Sequence, residues 1–588
     1  VIARLRSLRW LPYAASAVLS TVLLFWAYEL WGIDWRVPLT YSGDALAVAS
    51  HVKTVIETGW FSHQPDLGAP YGQFYGDYPQ ADNLHLLIMS AARFLVPDWG
   101  VLLNLYFVVG FPLAAVTATW FLRRVGVTRL ISVALGVVYS LAPYHFIRGE
   151  GHLFLSAYFV VPLALVVLWR FLTDRPIWRL RTTGPRWLKP FSWRSVSTVL
   201  VLALLATASS YYAVFTAILI GLAGLSVLVR TRSWRRFLAA ACAGAVLAVT
   251  VVLNALPDLV YQWINGPNPG ALVRSPPEAE LYSFKLASLL LPVPGHRFPP
   301  FAELRSLYDA HYPLPSEGPA LGIIAGIGLL LLFAVAVHVL LAAGRPLVDL
   351  RRVRMRVVAI LAGLSLIAFL FGTVGGAATF LSFIGFPIRA WDRILILISL
   401  FALTAVGIAI DGVLRRMRLA RRRAVVAGVI AALVMLFAAW DQVPAVNHDS
   451  RAADVASFYS DEQFVAGIEA AVEPGCLIYQ LPYVPFPESA PVNGVTDSQQ
   501  LRMFLHSDDL RWSGGGIKGR PQIDQLGAIG SLPVVEMVDS LHGLGACGVV
   551  IDRAGYTDQG QQVLAGLQQV TGGTVVDSPG GRFAFLRF

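Results

Sequence analysis

At 588 residues the chain is long enough for more than one domain, yet 56% of it is hydrophobic and only 14% charged, with a mean hydropathy of +0.62. A soluble protein cannot hide that much apolar surface, so the composition excludes a soluble enzyme and marks an α-helical polytopic membrane protein. The net charge of +10 does not point to nucleic acid, because no basic patch interleaved with aromatics sits on a soluble segment.

In chain order, Arg4, Arg6 and Arg9 precede an apolar run over 11–32. That run is too long for a signal-peptide core and ends in no small-residue cleavage site, so it reads as a retained span. Further apolar segments lie near 100–122, 130–145, 154–172, 196–209, 211–229, 237–256, 319–342, 357–377, 393–412 and 424–440. They bring the expected count to about eleven transmembrane helices, the pair at 196–229 being short. The stretch 83–96 is apolar but interrupted and reads as lying in the interface. The N-terminus and the links 123–129, 170–194, 230–236, 345–356 and 415–423 gather 28 of the 38 basic residues before residue 441. Only three acids, Asp174, Asp349 and Asp411, go with them, while the opposite connections hold ten basic and sixteen acidic residues. The bias predicts a cytoplasmic N-terminus, with residue 441 onward outside.

Three connections on the outer side are long or polar: 33–99, 257–318 and 378–392. The expected organisation is a transmembrane domain over 1–440 and an extracytoplasmic α/β domain over 441–588, since no span follows Trp440. In the latter, helices are predicted near 461–472, 533–542 and 559–570, and strands at 476–481, 547–551, 574–577 and 583–587. Cys476 and Cys547 each open a predicted strand. If the strands are neighbours, the two can form a disulfide in an oxidising compartment; two free buried thiols are the alternative. Cys242 falls inside a span, where it is packing.

The stretch 41–60, YSGDALAVASHVKTVIETGW, opens with a small-residue turn and then Asp44. Val48, Val52, Val55 and Ile56 follow on a helical period and give a short amphipathic helix. Asp44 can take a proton from a substrate hydroxyl at the membrane surface, or it can merely cap the helix. The same external connection carries His51, Tyr75, Asp77 and Asp82. The turn PYHFIRGEGHLF packs His145, Arg148, Glu150 and His152 into eight residues. The connection 257–318 adds Arg274, Glu278, Glu280, Lys285, His296 and Arg297, and FPIRAWDRI adds Arg389, Asp392 and Arg393. Loop charges are ordinarily solvated and interfacial arginines snorkel. Four titratable groups in one tight turn beside hydrocarbon fit a shared external site better. Tyr211 and Tyr212 can line a sugar or lipid groove, or serve as plain interfacial aromatics. No GxxxxGK[ST], HExxH, GxSxG or CxxC pair is present, and no His/Cys set has structural-zinc spacing. The Gly-rich SGGGIKGR at 513–520 can approach a phosphate or be a turn.

Together, GD (43–44), LGAPYGQ…DYPQADNLH (67–85), PYHFIRGEGHLF (143–154), PPEAELYSFK (276–285) and IRAWDR (388–393) resemble a bacterial branch of the GT-C superfamily of membrane glycosyltransferases, as do QLPYVPFPE (480–488) and LRWSGGGIKGR (510–520). The resemblance implies an enzyme of the bacterial plasma membrane that moves a sugar from a polyprenyl-phosphate donor to a cell-envelope glycan or glycolipid on the outer face. Membrane lipid, donor and acceptor would be its partners, and Asp44 would match the family's base. Two departures stand out. Gly43 sits where many relatives have a second acid, which weakens the case for an obligatory divalent metal unless Asp77 supplies that acid. The WWDYG-type motif of oligosaccharyltransferases is missing, which argues against peptide glycosylation. Direct displacement at the anomeric carbon needs a base and positive charge for the departing phosphate, and it inverts the centre. Arg148, His152, His296, Arg297 and Arg389 are the phosphate candidates, and every catalytic candidate precedes residue 441. The rivals are a flippase or transporter of lipid-linked sugars, which would want charges at mid-membrane, and a non-catalytic membrane protein that binds glycan.

Overall fold

The computed structural model describes residues 9–588 apart from 80–81, 183–184, 186–188, 317, 342–352, 387 and 418. Among the described residues nine helices are long and apolar enough to cross a membrane. They are Trp99–Val125, Arg129–Arg148, Leu153–Leu172, Ser210–Thr231, Trp234–Asn265, Ile323–Leu341, Arg354–Gly372, Trp391–Leu414 and Ala420–Gln442. The chain is a multi-pass helical membrane protein with a C-terminal sheet domain. The two other expected spans are the apolar helices Leu11–Ala27 and Trp193–Ala208, of 17 and 16 residues. At about 1.5 Å per residue each falls short of a ~30 Å hydrocarbon core, so length does not support a count of eleven. Both still pack in the bundle, the first on Trp99–Val125 and the second on Trp234–Asn265. Arg4, Arg6, Asp349 and most of the link 345–356 lie outside the described residues.

Local chemistry sets several helix ends. Asp98 caps Trp99–Val125 by accepting from the Val101 N–H at 2.9 Å, and Gly126, at φ 110°, ends it. Trp234–Asn265 runs on through Pro257. The connection expected to begin at 257 therefore begins after Asn265, the one missing backbone donor not stopping the helix. The connections expected on the outer side are structured. The first holds the helix Asp44–Thr58, a hairpin of β1 (His63–Gln64) and β2 (Gln73–Phe74), and the helix Asn83–Ala92.

The C-terminal sheet orders its strands β4–β3–β5–β7–β6. These are β3 (Leu477–Leu481), β4 (Arg511–Trp512), β5 (Ala546–Asp552), β6 (Val575–Asp577) and β7 (Phe583–Arg587). Strands β3, β4 and β5 run parallel, and β7 pairs antiparallel with β5 and β6. All four predicted strands are present; β4 and the helices Leu501–His506 and Pro521–Ile529 are additions. Cys476 and Cys547 stand just before β3 and inside β5, with Cα atoms 5.9 Å apart, and are joined as a disulfide. Cys242 is a free thiol on an exposed helix face.

The sheet domain is stitched to the first external connection. Beside β4, Trp512 donates its N–H to the Asp66 carbonyl at 2.8 Å, and Ala69 donates back to Trp512 at 3.0 Å. One buried apolar cluster crosses the expected 440/441 boundary, joining Leu46, Val52 and Leu86 to Phe504, Trp512 and Phe585. SGGGIKGR lies in this seam. A Cβ on Gly68 would stand 2.6 Å from the Gly516 Cα, and one on Gly519 would stand 2.0 Å from Asn268 Oδ1. These glycines let two backbones touch, which accounts for the motif without a phosphate.

Candidate active site

Gly43, at φ 56°, is the N-cap of the helix Asp44–Thr58, and Asp44 is its first helical residue. The glycine turn throws the Asp44 side chain out of the helix end. Among the described residues its carboxylate accepts no hydrogen bond from the helix N–H groups, so it is not the cap. The side chain is 74% exposed, and His152 Nε2 stands 3.9 Å from one of its oxygens. Gly151 passes beside it, close enough that a Cβ there would lie 3.5 Å from the Asp44 Cβ.

Asp44 opens into a cavity of about 390 Å³ at one end of the bundle. Its walls come from five parts of the chain: Asp44, Val48, His51, Tyr75, Tyr78 and Asp82; His152 to Leu155; Ser210 and Tyr211; Arg274, Arg389 and Arg393; and Phe486, Pro487, Glu488, Asp497 and Ser498. The electrostatics are divided. Burial raises Asp44 above the ordinary carboxylate value, the charges of Asp497 and Glu488 add to it, and Arg389 and Arg393 pull the other way. Although its own surface is open to the cavity, the surrounding walls restrict water. Burial raises Asp82 to about 7 against the charge of Arg393. Burial, followed by the charges of Arg393, Arg148 and Arg389, holds His152 down at about 3, so its ring is neutral at physiological pH. Burial likewise lowers His51 to about 4; its ring packs edge-on against Tyr75 at 4.5 Å. The Arg393 guanidinium stacks 4.3 Å from the centre of the Tyr211 ring.

The other expected site residues stand elsewhere. Asp77 is fully engaged in the seam: Arg520 donates to both carboxylate oxygens, and Asn268 donates to one at 2.8 Å. It therefore supplies no second acid beside Asp44. Among the described residues no group of three or more His, Cys, Asp or Glu side chains is placed to hold a metal. Arg148 is buried and donates to Asp392 Oδ2 at 3.0 Å, bracing the turn that carries Arg393. His145 stacks on Phe111 at 3.5 Å inside the bundle. Glu150 is buried, with one oxygen accepting from the Thr40 N–H at 3.0 Å. Tyr212 bonds the Leu155 carbonyl and the Tyr144 hydroxyl. Glu280 accepts from Thr379, and Lys285 donates to the Tyr312 carbonyl. His296 is buried and accepts from the Phe298 N–H, and Arg297 donates to the carbonyls of Ala27 and Val443. Of the five phosphate candidates, only His152 and Arg389 line the cavity.

Five residues of the sheet domain close the cavity, beside catalytic candidates that all precede residue 441. Their signal was present in QLPYVPFPE, where Glu488 follows three prolines in a largely apolar run, but no local pattern shows where such a loop folds back.

A family model described as a domain of unknown function, DUF6311, matches residues 84–391, just over half of the chain. The chain belongs to the DUF6311 family. No curated protein matches it. Several solved structures resemble this DUF6311 protein at low identity. ArnT from Cupriavidus metallidurans bound to undecaprenyl phosphate is 13% identical, with a TM-score of 0.47 over 98% of this chain and 97% of that one. The archaeal oligosaccharyltransferase AglB from Archaeoglobus fulgidus, in complex with an inhibitory peptide and a dolichol-phosphate, is 10% identical, with a TM-score of 0.44 over 98% and 74%. The arabinofuranosyltransferase AftD from Mycobacteria is 16% identical, with a TM-score of 0.48; the match covers 97% of this chain but 37% of that protein.

Proposed function

We propose that this protein is an inverting membrane glycosyltransferase of the GT-C type. It takes a sugar from a polyprenyl-phosphate donor to a glycan or glycolipid of the cell envelope, with Asp44 as general base. The observation that carries the reading is the cavity itself: a carboxylate without a hydrogen-bonded partner among the described residues faces Arg389 and Arg393 across about 390 Å³. Displacement at an anomeric carbon needs that division of labour. The carboxylate takes the proton of the acceptor hydroxyl as the oxygen attacks, and the cations stabilise the phosphate as it leaves from the opposite side. Raised by burial and by Asp497 and Glu488, Asp44 makes a stronger base than an ordinary aspartate. His152, neutral and 3.9 Å away, adds no positive charge beside the carboxylate.

The cavity unites the connections that the charge bias assigns to the outer side. At the far end of the bundle, grooves gather Arg129, Arg415 and Arg423, or Arg175, Arg235 and Arg236. This sorting supports an outward-facing site and an extracytoplasmic sheet domain. A reporter active only in the cytoplasm, fused after Phe588, should be silent; a bright signal would reverse the orientation. The activity is tested with purified protein and a polyprenyl-phosphate sugar, guided by mass spectrometry of surface glycans and lipid-linked sugars in a deletion strain. Accumulation of a lipid-linked sugar with loss of one glycan residue is expected. An unchanged glycan profile would overturn the reading.

A further inference from the structure

We propose that Arg274 and Arg389 form a phosphate-binding subsite at the rim of the cavity, that Glu488 of the sheet domain occupies it in this form, and that the Glu488 side chain must swing out when phosphate binds. Arg274 points both of its terminal nitrogens at Glu488, Nη1 to Oε2 and Nη2 to Oε1, each at 3.2 Å. This two-pronged geometry is the one by which arginine grips either a carboxylate or a phosphate. Arg389 stands beside it with its needs unmet. Its closest ionic neighbours are Glu278 at 3.7 Å and Glu488 at 3.9 Å, its guanidinium lies over the Tyr282 ring at 5.0 Å, and it makes no hydrogen bond among the described residues. A guanidinium three-quarters buried with five donors and no bonded acceptor is poised for an anionic ligand. Glu278 does not fill the gap, since its Oε2 is itself buried without a hydrogen bond.

The Glu488 backbone supports the same conclusion. Its φ of 54° is left-handed, a conformation that side-chain-bearing residues adopt at a cost and keep where the surroundings demand it. Lys518 donates to the Glu488 carbonyl at 2.9 Å and to Ser489 Oγ at 3.1 Å, so the backbone is tethered and the motion belongs to the side chain. A mere rivet between domains would look different. The rivet that this protein does have, Asp77 with Arg520, is buried at its carboxylate, whereas the Glu488 side chain is 41% exposed and contributes little to docking.

That the phosphate is the lipid donor's rests on the function proposed above; the arginine pair and its carboxylate occupant do not. The test measures binding of undecaprenyl phosphate and of inorganic pyrophosphate to the full chain in a phosphate-free detergent, with thermal unfolding as a control. Glu488→Gln keeps the shape and removes the charge. It should bind both probes about tenfold more tightly, since an occupied site lowers apparent affinity by the fraction unoccupied, with its unfolding temperature nearly unchanged. Arg274→Gln and Arg389→Gln should each bind both about tenfold more weakly. Binding by Glu488→Gln that is no tighter than wild type would overturn the inference. So would tight undecaprenyl phosphate binding indifferent to all three substitutions, although that outcome would leave the donor reading standing. If Glu488→Gln sharpens pyrophosphate binding but undecaprenyl phosphate binds no better than pyrophosphate, the subsite stands and the lipid donor falls.

Discussion

Asp44 and Asp77 lie in the same connection, 33–99, and have opposite surroundings. Asp77 sits in the seam with both carboxylate oxygens hydrogen-bonded, by Arg520 and Asn268. Asp44 sits at the cavity with no hydrogen bond among the described residues and His152 Nε2 at 3.9 Å. A buried charge with complete partners has spent its interaction energy on the fold; one left without partners keeps it for a ligand. The same contrast separates Arg148, hydrogen-bonded to Asp392, from Arg389, which makes no hydrogen bond among the described residues and only long ion pairs to Glu278 and Glu488.

The largest expected effect sits at the cavity. Asp44→Asn keeps shape and polarity but cannot take a proton, so turnover should fall by roughly 10²–10⁴ with unfolding temperature unchanged. In the wild type, the rate should decline as pH drops through the Asp44 pKa, at a pH above the ordinary carboxylate value because that pKa is raised. Near-normal transfer by the variant would erase the contrast between the two aspartates.

At the seam the effect should be on stability instead. Asp77→Ala leaves Arg520 facing a buried hole and should cost about 3–5 kcal/mol, the range for breaking a buried pair. Chemical unfolding in detergent measures it, and a loss below about 1 kcal/mol would show that the pair is ornamental. The disulfide tests the same domain from its far side. Replacing Cys476 with Ser opens a link across 71 residues and should cost about 2–4 kcal/mol, and non-reducing peptide mapping should find Cys476 joined to Cys547.

What could be read in the sequence follows the range of the interactions. The nine long helices are visible because apolar composition over about 20 residues is a local property. Asp44 is visible because Ser42-Gly43 marks a turn just before an amphipathic period. The strands opened by Cys476 and Cys547 are visible as short β-rich runs between turns. The partners of Asp77 and Arg148 are not, since Arg520 and Asp392 lie 443 and 244 positions away and no periodicity carries such distances. Nor is the role of Glu488, whose place at the cavity depends on how the sheet domain docks. The two-residue β4 is too short for alternation to show, and the helix Trp234–Asn265 continues through Pro257, where the apolar pattern had placed the start of a connection.

Glu150 lies between the two cases: buried like Asp77, yet with Oε1 left without a hydrogen bond. Oε2 accepts from the Thr40 N–H, while Oε1 has no partner. Burial pushes its carboxyl from the ordinary 4.5 up to about 8, opposed by the backbone hydrogen bonds from Thr40 and Leu39. A carboxyl that holds its proton more tightly when folded makes the folded state bind more protons than the unfolded state between those two values. Stability is therefore greatest below about 4.5 as far as this group is concerned, and falls as pH rises through the window to about 8. Glu150→Gln mimics the protonated form at every pH. Compared with the wild type at the same pH, it should change the unfolding temperature little near pH 5 and raise it progressively toward pH 8.5. If Glu150 were instead ionised in the fold, like the paired Asp77, the substitution would destabilise the protein most at high pH, and the measured slope would have the opposite sign.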